Sequence, residues 1–471
     1  MSGFTILCAL ALPAFFEGPA EPAAKAVAPG AVRDPKVQAM LAEISIPRIQ
    51  ARIEKLAGFD TRHTLSDTNS PTRGIGAARR WIKAEFDRVS AERGGRLKVS
   101  LDSYVQQPAR RVPRPTEIVN VVATLPGQQK ESAGRWIVIG GHYDSIPSMR
   151  GQVTDPDASA PGANDDASGT AVVMELAEVM SKYEFDATIV FIAFAGEEQG
   201  LLGSTHFAKA ARGGSRAIEA MITNDIVGNT EGGRGRRDNR TIRLFSEGMP
   251  ALDSALAARL RRVGGENDSP SRQLARFIDE TGALYMPYFK VRLVFRSDRF
   301  LRGGDHLPFL QEGYPAVRFT EPAENYARQH QNVRREDGVN YGDVLGGVDF
   351  AYVSEVARLN GAAVAELALA PTPVEGASIE VRGFAYDTTL SWTASSAPDL
   401  AGYEVVWRDT TAPRWEHSLY VGNVSRVTLP ELSRDDWQFG VRAVDLEGHR
   451  SPVSLPFPPA PPAGAAAPAS P

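Results

Sequence analysis

The 471-residue chain is long enough for two or three domains of about 150 residues each. Its apolar content of 42% and charged content of 23% are those of an ordinary soluble globular protein. The formal net charge of -5 gives no electrostatic basis for binding nucleic acid, so we do not expect nucleic acid as a partner.

An apolar stretch at residues 4–16 lies close to the start of the chain. It is too short to span a bilayer but has the length of the hydrophobic region of a secretory signal, and small residues at 20–28 offer cleavage sites. We therefore predict a signal-like leader over residues 1–30, a secreted or periplasmic location and no integral membrane span. A disordered tail remains the alternative, because no lysine or arginine precedes the apolar stretch. Cys8 is the only cysteine, so disulfide pairing gives no information about the compartment.

Helical and strand patterns alternate from residue 33 to residue 370. Apolar residues recur at helical spacing over 35–59 and 76–95, and short apolar, β-branched runs follow. Continuous apolar strands between helices indicate a sheet covered on both faces. We predict an α/β domain with a mostly parallel mixed sheet flanked by helices on both faces. The predicted strands cover 118–125, 136–139, 188–195, 220–226, 242–245 and 316–320, with further helices at 170–182 and 251–263.

The sequence pattern changes after residue 370, where short runs of alternating apolar and polar residues are bounded by turn residues. This pattern predicts a small all-β sandwich over residues 372–456. Its Trp392 and Tyr403 resemble the core residues of a fibronectin type III module, although Trp437 stands where that module usually has a corner tyrosine. Residues 457–471 are rich in proline and alanine and are predicted to be disordered.

Histidine and carboxylate side chains stand where three of the predicted strands end. His142, the pair Glu197 and Glu198, and Asp225 each follow an apolar run directly. Ligands of open α/β sheets bind outside the carboxyl ends of the strands, so we expect these donors to meet at one edge of the sheet.

A fourth segment, rich in glycine, carries Asp165 directly before the helix predicted at 170–182. The carboxylate of Asp165 can bridge two divalent ions about 3.5–4 Å apart, with further His and carboxylate donors at the outer positions. Imidazole and oxygen donors without a thiolate favour zinc, with manganese or cobalt as alternatives.

Four motifs carry these residues: GGHYDS at 140–145, GANDDASG at 162–169, AGEEQGLLGS at 195–204 and NDIVGN at 224–229. In this order they resemble the co-catalytic dizinc aminopeptidase family, of the bacterial leucyl aminopeptidase type, and the resemblance covers roughly residues 37–369. It implies two zinc ions, with Glu197 as the general base and Asp144 holding the imidazole of His142. The implied metal ligands are Asp165 as the bridge, His142 and Asp225 for one ion, and Glu198 for the other.

The second histidine ligand has two candidates. The family places this residue after a segment that is present here as DHLPF at 305–309, which favours His330 over His306. The chain departs from the family because six residues separate Ser297-Asp298 from Asp305-His306. The resemblance leaves Asp305, His306 and Tyr326 as possible residues of the substrate pocket.

The leading functional prediction is a metallo-aminopeptidase that acts on peptides or proteins, in which Glu197 takes a proton from a water held between two zinc ions. A carboxypeptidase is an alternative, because Arg296, Arg299 and Arg302 offer partners for a terminal carboxylate. We also consider a glutaminyl cyclase of the same fold and a non-catalytic, peptidase-like binding ectodomain. The sequence does not predict the oligomeric state.

Overall fold

The computed structural model describes residues 33–148, 155–250, 254–381 and 385–459. The predicted leader at 1–30 and residues 460–471 of the predicted tail lie outside these ranges. Within the described ranges, no helix combines the length and the hydrophobicity that a membrane crossing requires.

A mixed sheet of eight strands forms the centre of the α/β domain, in the order β1-β2-β4-β3-β5-β8-β6-β7. β3 pairs in parallel with β4 on one side and with β5 on the other, and β5 pairs in parallel with β8. This sheet confirms the predicted fold class. The strands are β1 (Lys98–Gln106), β2 (Thr116–Leu125), β3 (Arg135–His142), β4 (Thr188–Phe194), β5 (Ala217–Asn224), β6 (Thr241–Ser246), β7 (Lys290–Val294) and β8 (Ala316–Thr320).

Helices cover both faces of this sheet. Successive side chains of a strand point to opposite faces, so Ile137 and Ile139 of β3 join one hydrophobic core while Val138 joins the other. Helices α4 and α9 contribute to the first core, and α5 and α8 to the second. The helices are α1 (Pro35–Ala42), α2 (Ile46–Ala57), α3 (Gly74–Glu92), α4 (Ala167–Met180), α5 (Leu202–Gly213), α6 (Ser254–Arg262), α7 (Pro270–Tyr285), α8 (His306–Gln311) and α9 (Phe350–Leu369).

The helical pattern at 35–59 forms two helices rather than one. Ser45 caps the second helix by accepting a hydrogen bond from the Arg48 amide at 3.4 Å, and Pro47 follows in its first turn. Proline fits the first turn of a helix but disrupts a helix interior, so the helix is interrupted between α1 and α2. Of the helix predicted at 251–263, residues 251–253 lie outside the described residues.

The C-terminal module consists of two antiparallel sheets of three strands each, in the orders β11-β12-β15 and β14-β13-β16. Trp392 and Tyr403 lie in the core between them, with ring centroids 5.2 Å apart. Phe457, one residue beyond the predicted boundary at 456, forms an isolated parallel bridge with Ser378. The strands are β11 (Ser378–Ile379), β12 (Thr388–Ser391), β13 (Leu400–Asp409), β14 (His417–Gly422), β15 (Arg426–Leu429) and β16 (Trp437–Asp445), and a small hairpin in the α/β domain comprises β9 (Arg334–Glu336) and β10 (Val339–Tyr341).

Candidate metal centre

The ends of three neighbouring strands meet at one edge of the central sheet. His142 is the last residue of β3, Asp225 directly follows β5, and Glu197 and Glu198 follow β4 after a turn at Gly196, whose φ is 73°. Because β3 lies between β4 and β5 and runs parallel to both, their carboxyl ends point the same way. The strand order therefore brings these side chains to one place, as predicted.

The Asp166 side chain fixes the loop that carries Asp165. It caps α4 by accepting a hydrogen bond from the Gly169 amide at 2.9 Å, and it also accepts one from the His142 amide at 3.0 Å. A Cβ at Gly141 would lie 2.7 Å from the carbonyl carbon of Gly169, so β3 and α4 approach each other more closely than a larger residue permits. The peptide bond between Asp165 and Asp166 is cis.

The Asp165 carboxylate lies between two imidazole rings. Its Oδ1 is 3.2 Å from Nε2 of His142, and its Oδ2 is 3.1 Å from Nε2 of His330. On the His142 side, Asp225 Oδ1 lies 3.9 Å from Nε2. On the His330 side, Glu198 Oε1 lies 3.0 Å from Nε2. The five predicted ligands thus form two adjacent donor groups that share Asp165.

These donors are of the kinds that bind zinc. Within the described residues Nε2 of His142 is buried, and none of its contacts, the one to Asp165 included, has the geometry of a hydrogen bond, as expected for a ring nitrogen that serves as a ligand. The donor sets His142, Glu197, Asp225 and Asp165, Glu198, His330 each place their ligand atoms within 4.8 Å of one another. Burial raises the pKa of Glu198, and repulsion from the nearby charge of Asp165 adds to the effect. Bound cations would offset this repulsion between carboxylates.

Asp144 connects His142 to the loop that carries the two glutamates. Its Oδ1 lies 3.6 Å from Nδ1 of His142, and its carboxylate accepts hydrogen bonds from the amides of Glu197 and Glu198, both at 3.2 Å. Burial by itself would raise the pKa of Asp144, but the nearby His142 ring and the hydrogen bonds from these amides lower it below its usual value. Asp144 therefore holds the imidazole through its backbone carbonyl oxygen, 3.2 Å from Nδ1 of His142, and it holds the turn after β4 through its carboxylate.

Glu197 lies on the His142 side of the centre, together with Asp225. Burial raises the pKa of Glu197 well above its usual value, and the charges of Asp225 and Glu198 add to the effect. This environment suits a carboxylate that exchanges a proton during a reaction.

The two histidine candidates have different surroundings. His306 Nε2 lies 2.8 Å from the Ser297 carbonyl oxygen and 3.6 Å from Asp298, so this ring faces the 297–298 loop. His330 instead faces Asp165 and Glu198. Of the two histidines, His330 is thus the one that lies beside Asp165 and Glu198.

The predicted pocket residues Asp305 and Tyr326 lie in different environments. Asp305 is buried, and burial raises its pKa to about 7. Among the described residues, Asp305 Oδ1 has no hydrogen-bond partner. Tyr326 is 66% exposed and lines an open cavity with several arginines.

Sequence reasoning missed three buried charged residues around the centre. The Asp343 carboxylate accepts hydrogen bonds from the backbone amides of Asn164 and Asp165, at 2.9 and 2.7 Å. Together with Asp166, it fixes the loop that carries Asp165. Glu321 accepts the Asn164 side-chain amide at 3.0 Å. Arg318 pairs with Asp225 and Asp298. The one available signal was Arg318 itself, a charge inside the apolar strand β8.

A third cluster, formed by Asp445, Glu447 and His449, lies in the C-terminal module. Asp445 Oδ1 accepts backbone hydrogen bonds from Glu447, Gly448 and His449, between 2.7 and 2.9 Å. These bonds define a turn, so this cluster has a structural explanation without a metal.

Comparison with known proteins identifies relatives of this chain. The sequence profile of peptidase family M28 matches residues 120–343. A probable zinc metalloprotease of Leptosphaeria maculans is 49% identical over 424 residues, which cover 90% of this chain and 97% of that protein. A probable zinc metalloprotease of Pyricularia oryzae is 48% identical over 432 residues, which cover 90% of this chain and 85% of that protein.

Solved structures show the same fold at low sequence identity. The LapA aminopeptidase of Legionella pneumophila matches with a TM-score of 0.51 and 22% identity, over 73% of this chain and 77% of that one. An aminopeptidase of Aneurinibacillus sp. strain AM-1 matches with a TM-score of 0.50 and 16% identity, over 71% of this chain and 96% of that one. The identity to the two metalloproteases and the extent of the match show that this chain belongs to peptidase family M28, together with these probable zinc metalloproteases.

Proposed function

We propose that the protein is a zinc aminopeptidase that removes N-terminal residues from peptides at a centre of two zinc ions. The observation that carries this proposal is the Asp165 carboxylate, whose two oxygens lie 3.2 and 3.1 Å from the Nε2 atoms of His142 and His330. One carboxylate between two imidazoles, each with a further carboxylate beside it, is the donor arrangement that a shared pair of metal ions requires.

In this proposal each side of Asp165 holds one ion. His142 and Asp225 would hold the first ion, and Glu198 and His330 the second. When bound, zinc ions supply Lewis acidity for the scissile carbonyl and lower the pKa of water in the site.

Glu197 would act as the general base and then as the general acid. A carboxylate with a raised pKa accepts a proton from the attacking water and returns it to the leaving amine. Asp144 supports this role because it accepts hydrogen bonds from the amides of Glu197 and Glu198 and so fixes the backbone that carries both side chains. Asp305 offers a buried oxygen without a hydrogen-bond partner in the described structure, which suits an α-ammonium group of the substrate.

The C-terminal module takes no part in this chemistry, since none of the proposed ligands lies in it. We propose that it is a fibronectin type III-like appendage, on the basis of its two packed sheets and the core pair Trp392 and Tyr403. Secretion, predicted from residues 4–16, remains part of the proposal.

The test combines metal analysis with assays of both peptide ends. We expect about two zinc ions per chain, together with hydrolysis of amino-acid p-nitroanilides that a chelator abolishes and zinc restores. Peptides with a free N-terminus should be cleaved and their N-acetylated forms should not. Cleavage of the acetylated forms from the C-terminus would establish the carboxypeptidase alternative. Cyclisation of N-terminal glutamine would establish the cyclase, and absence of metal and of zinc-restored hydrolysis would establish the binding ectodomain.

A pair of matched variants tests the ligand assignment. His330→Asn should lower the zinc content by about one ion per chain, because it removes a proposed ligand. His306→Asn should leave the zinc content unchanged, because His306 faces Ser297 and Asp298 instead. The opposite result would assign the ligand to His306.

A further inference from the structure

An open cavity of about 550 Å³ lies beside the loop that carries His330. Exposed aromatic side chains, Phe300 and Tyr326, line part of it. The charged residues of its lining are five arginines and one glutamate: Arg243, Arg292, Arg296, Arg299, Arg302 and Glu324.

Glu324 neutralises only part of this positive charge. Arg299 and Arg302 contact its Oε2 at 3.2 and 3.4 Å, and Arg243 binds its other oxygen. Burial by itself would raise the pKa of Glu324, but Arg299 and Arg243 lower it below its usual value, so this side chain carries a full negative charge. Arg299 also contacts Asp298, 3.4 Å away, and that carboxylate is shared with another arginine deeper in the protein.

Arg292 and Arg296 supply the uncompensated charge. Both are exposed, and within the described ranges neither forms an ion pair with a carboxylate. The Arg296 guanidinium lies 5.7 Å from the ring centroid of Phe300, a cation–π contact that restricts its position. A restricted guanidinium loses less freedom when it binds an anion, so this wall of the cavity is partly organised for a carboxylate.

Direct contacts connect the cavity to the candidate metal centre. Gln329, which precedes His330, donates a hydrogen bond from Nε2 to Glu324 at 3.2 Å. On the other side, Arg299 contacts Asp298, which belongs to the charged network of Asp225. The cavity and the candidate metal centre are thus connected through residues that touch both, Glu324 through Gln329 and Arg299 through Asp298.

We propose that this cavity is a substrate subsite for a carboxylate group of the peptide, with Arg292 and Arg296 as its recognition residues. The inference rests on the proposed peptidase function. The carboxylate has two possible sources, an acidic side chain or the free C-terminus, and both offer paired oxygens to a guanidinium.

The experiment compares matched peptides with the wild-type protein and with the double variant Arg292→Gln/Arg296→Gln. One series replaces glutamine by glutamate at each position of a short peptide that has a free N-terminus and an amidated C-terminus. The second series compares the free acid with the amide at the C-terminus. We expect the wild-type kcat/KM to favour the carboxylate form at one position by about tenfold, and we expect the ratio of the two kcat/KM values to fall to about one in the double variant.

Control proteins separate this effect from general electrostatics and from catalysis. Arg261→Gln/Arg262→Gln removes the same charge from exposed residues of α6, which do not line the cavity, and should preserve the preference. Calorimetric binding of the same peptides to the Glu197→Gln variant gives a readout without turnover.

The outcomes decide whether the cavity is a carboxylate subsite and which carboxylate of the peptide it binds. A preference confined to glutamate peptides assigns the subsite to an acidic side chain, and one confined to the free acid assigns it to the C-terminus. Hydrolysis or binding without any carboxylate preference, or with a preference that survives in the double variant, overturns the subsite. Absence of hydrolysis with selective binding of carboxylate peptides would contradict the peptidase function and leave the subsite standing.

Discussion

Arg318 Nη2 lies 2.9 Å from Asp225 Oδ2, and both side chains are buried beneath the candidate metal centre. The register of the sheet explains this pair, since Thr223 of β5 pairs with Arg318 of β8 two residues before Asp225. Nη1 of the same arginine lies 3.0 Å from Asp298. Arg318 thus engages one oxygen of Asp225 and leaves Oδ1 directed towards His142, 3.9 Å away.

Replacement of Arg318 by methionine should disturb both stability and metal binding. It removes the arginine that contacts the buried Asp225 and leaves Asp298 with Arg299 as its arginine partner, so we expect the free energy of unfolding to fall by about 3–5 kcal/mol. Zinc affinity should fall by about 10- to 100-fold, because Asp225 loses the contact that orients it. Urea unfolding of chelator-treated protein and zinc titration measure the two effects. Arg335→Met, at an exposed position on β9, should change stability by no more than about 0.5 kcal/mol. Equal effects of both variants would contradict the assigned role of Arg318.

The Glu197→Gln variant should separate proton transfer from metal binding. We expect kcat to fall on the order of 10²–10⁴-fold, because glutamine cannot accept the proton, while the zinc content stays at the wild-type value. Steady-state kinetics and elemental analysis of the same preparation measure both. Glu336→Gln, on the exposed hairpin, is the matched control and should keep full activity. Loss of zinc in the Glu197 variant would make this residue a ligand rather than a base.

The strands that position the centre could be predicted because they are buried on both faces. β3 and β4 are continuous apolar runs, and a parallel sheet places the residues that follow such runs at one edge. The edge strands β1 and β7 were missed because their residues are partly exposed and form no continuous apolar run.

The charged residues around the centre were harder to predict, because their partners are distant in sequence. Asp343 binds the amide of Asp165 across 178 positions, and it lies in a loop without any local pattern. Arg318 was visible as a charge in an apolar strand, but its partner Asp225 becomes evident only when β5 and β8 are known to be neighbours.

Asp268 should stabilise the contact between the α/β domain and the C-terminal module. Its carboxylate lies 2.7 Å from Arg276 of α7 and 2.8 Å from Arg408 of β13, and all three side chains are buried. Asp268→Ala removes the carboxylate that both buried guanidinium groups share, so we expect the free energy of unfolding to fall by about 3–5 kcal/mol. Chemical denaturation measures this loss, and limited proteolysis detects release of the module.

An exposed ion pair provides the control for Asp268. Asp87 pairs with Lys83 on the surface of α3, with about half of its side chain exposed (49%). Asp87→Ala should cost about 0.5 kcal/mol or less, because solvent screens exposed pairs. Similar losses in the two variants would show that the buried contact contributes no more than a surface pair.

The interface should also make stability depend on pH through His449. The ring of this buried residue lies 2.9 Å from Glu366 of α9 and 3.6 Å from Asp34, and Asp445 of its own module adds a third negative charge. Burial by itself would lower the pKa of His449, but Glu366 and the other carboxylates raise it from 6.5 to about 9.

A histidine with a raised pKa in the folded protein stabilises the fold in its protonated form. The contribution of His449 is therefore complete below its unfolded pKa of 6.5 and is lost as the pH rises towards 9. The full shift corresponds to a contribution on the order of 3 kcal/mol. His449→Gln should accordingly destabilise the protein more at about pH 6 than at about pH 9.5, with the difference measured by urea unfolding at both values. A His449 variant that loses the same free energy at both pH values would show that the contact with Glu366 does not depend on a protonated imidazole.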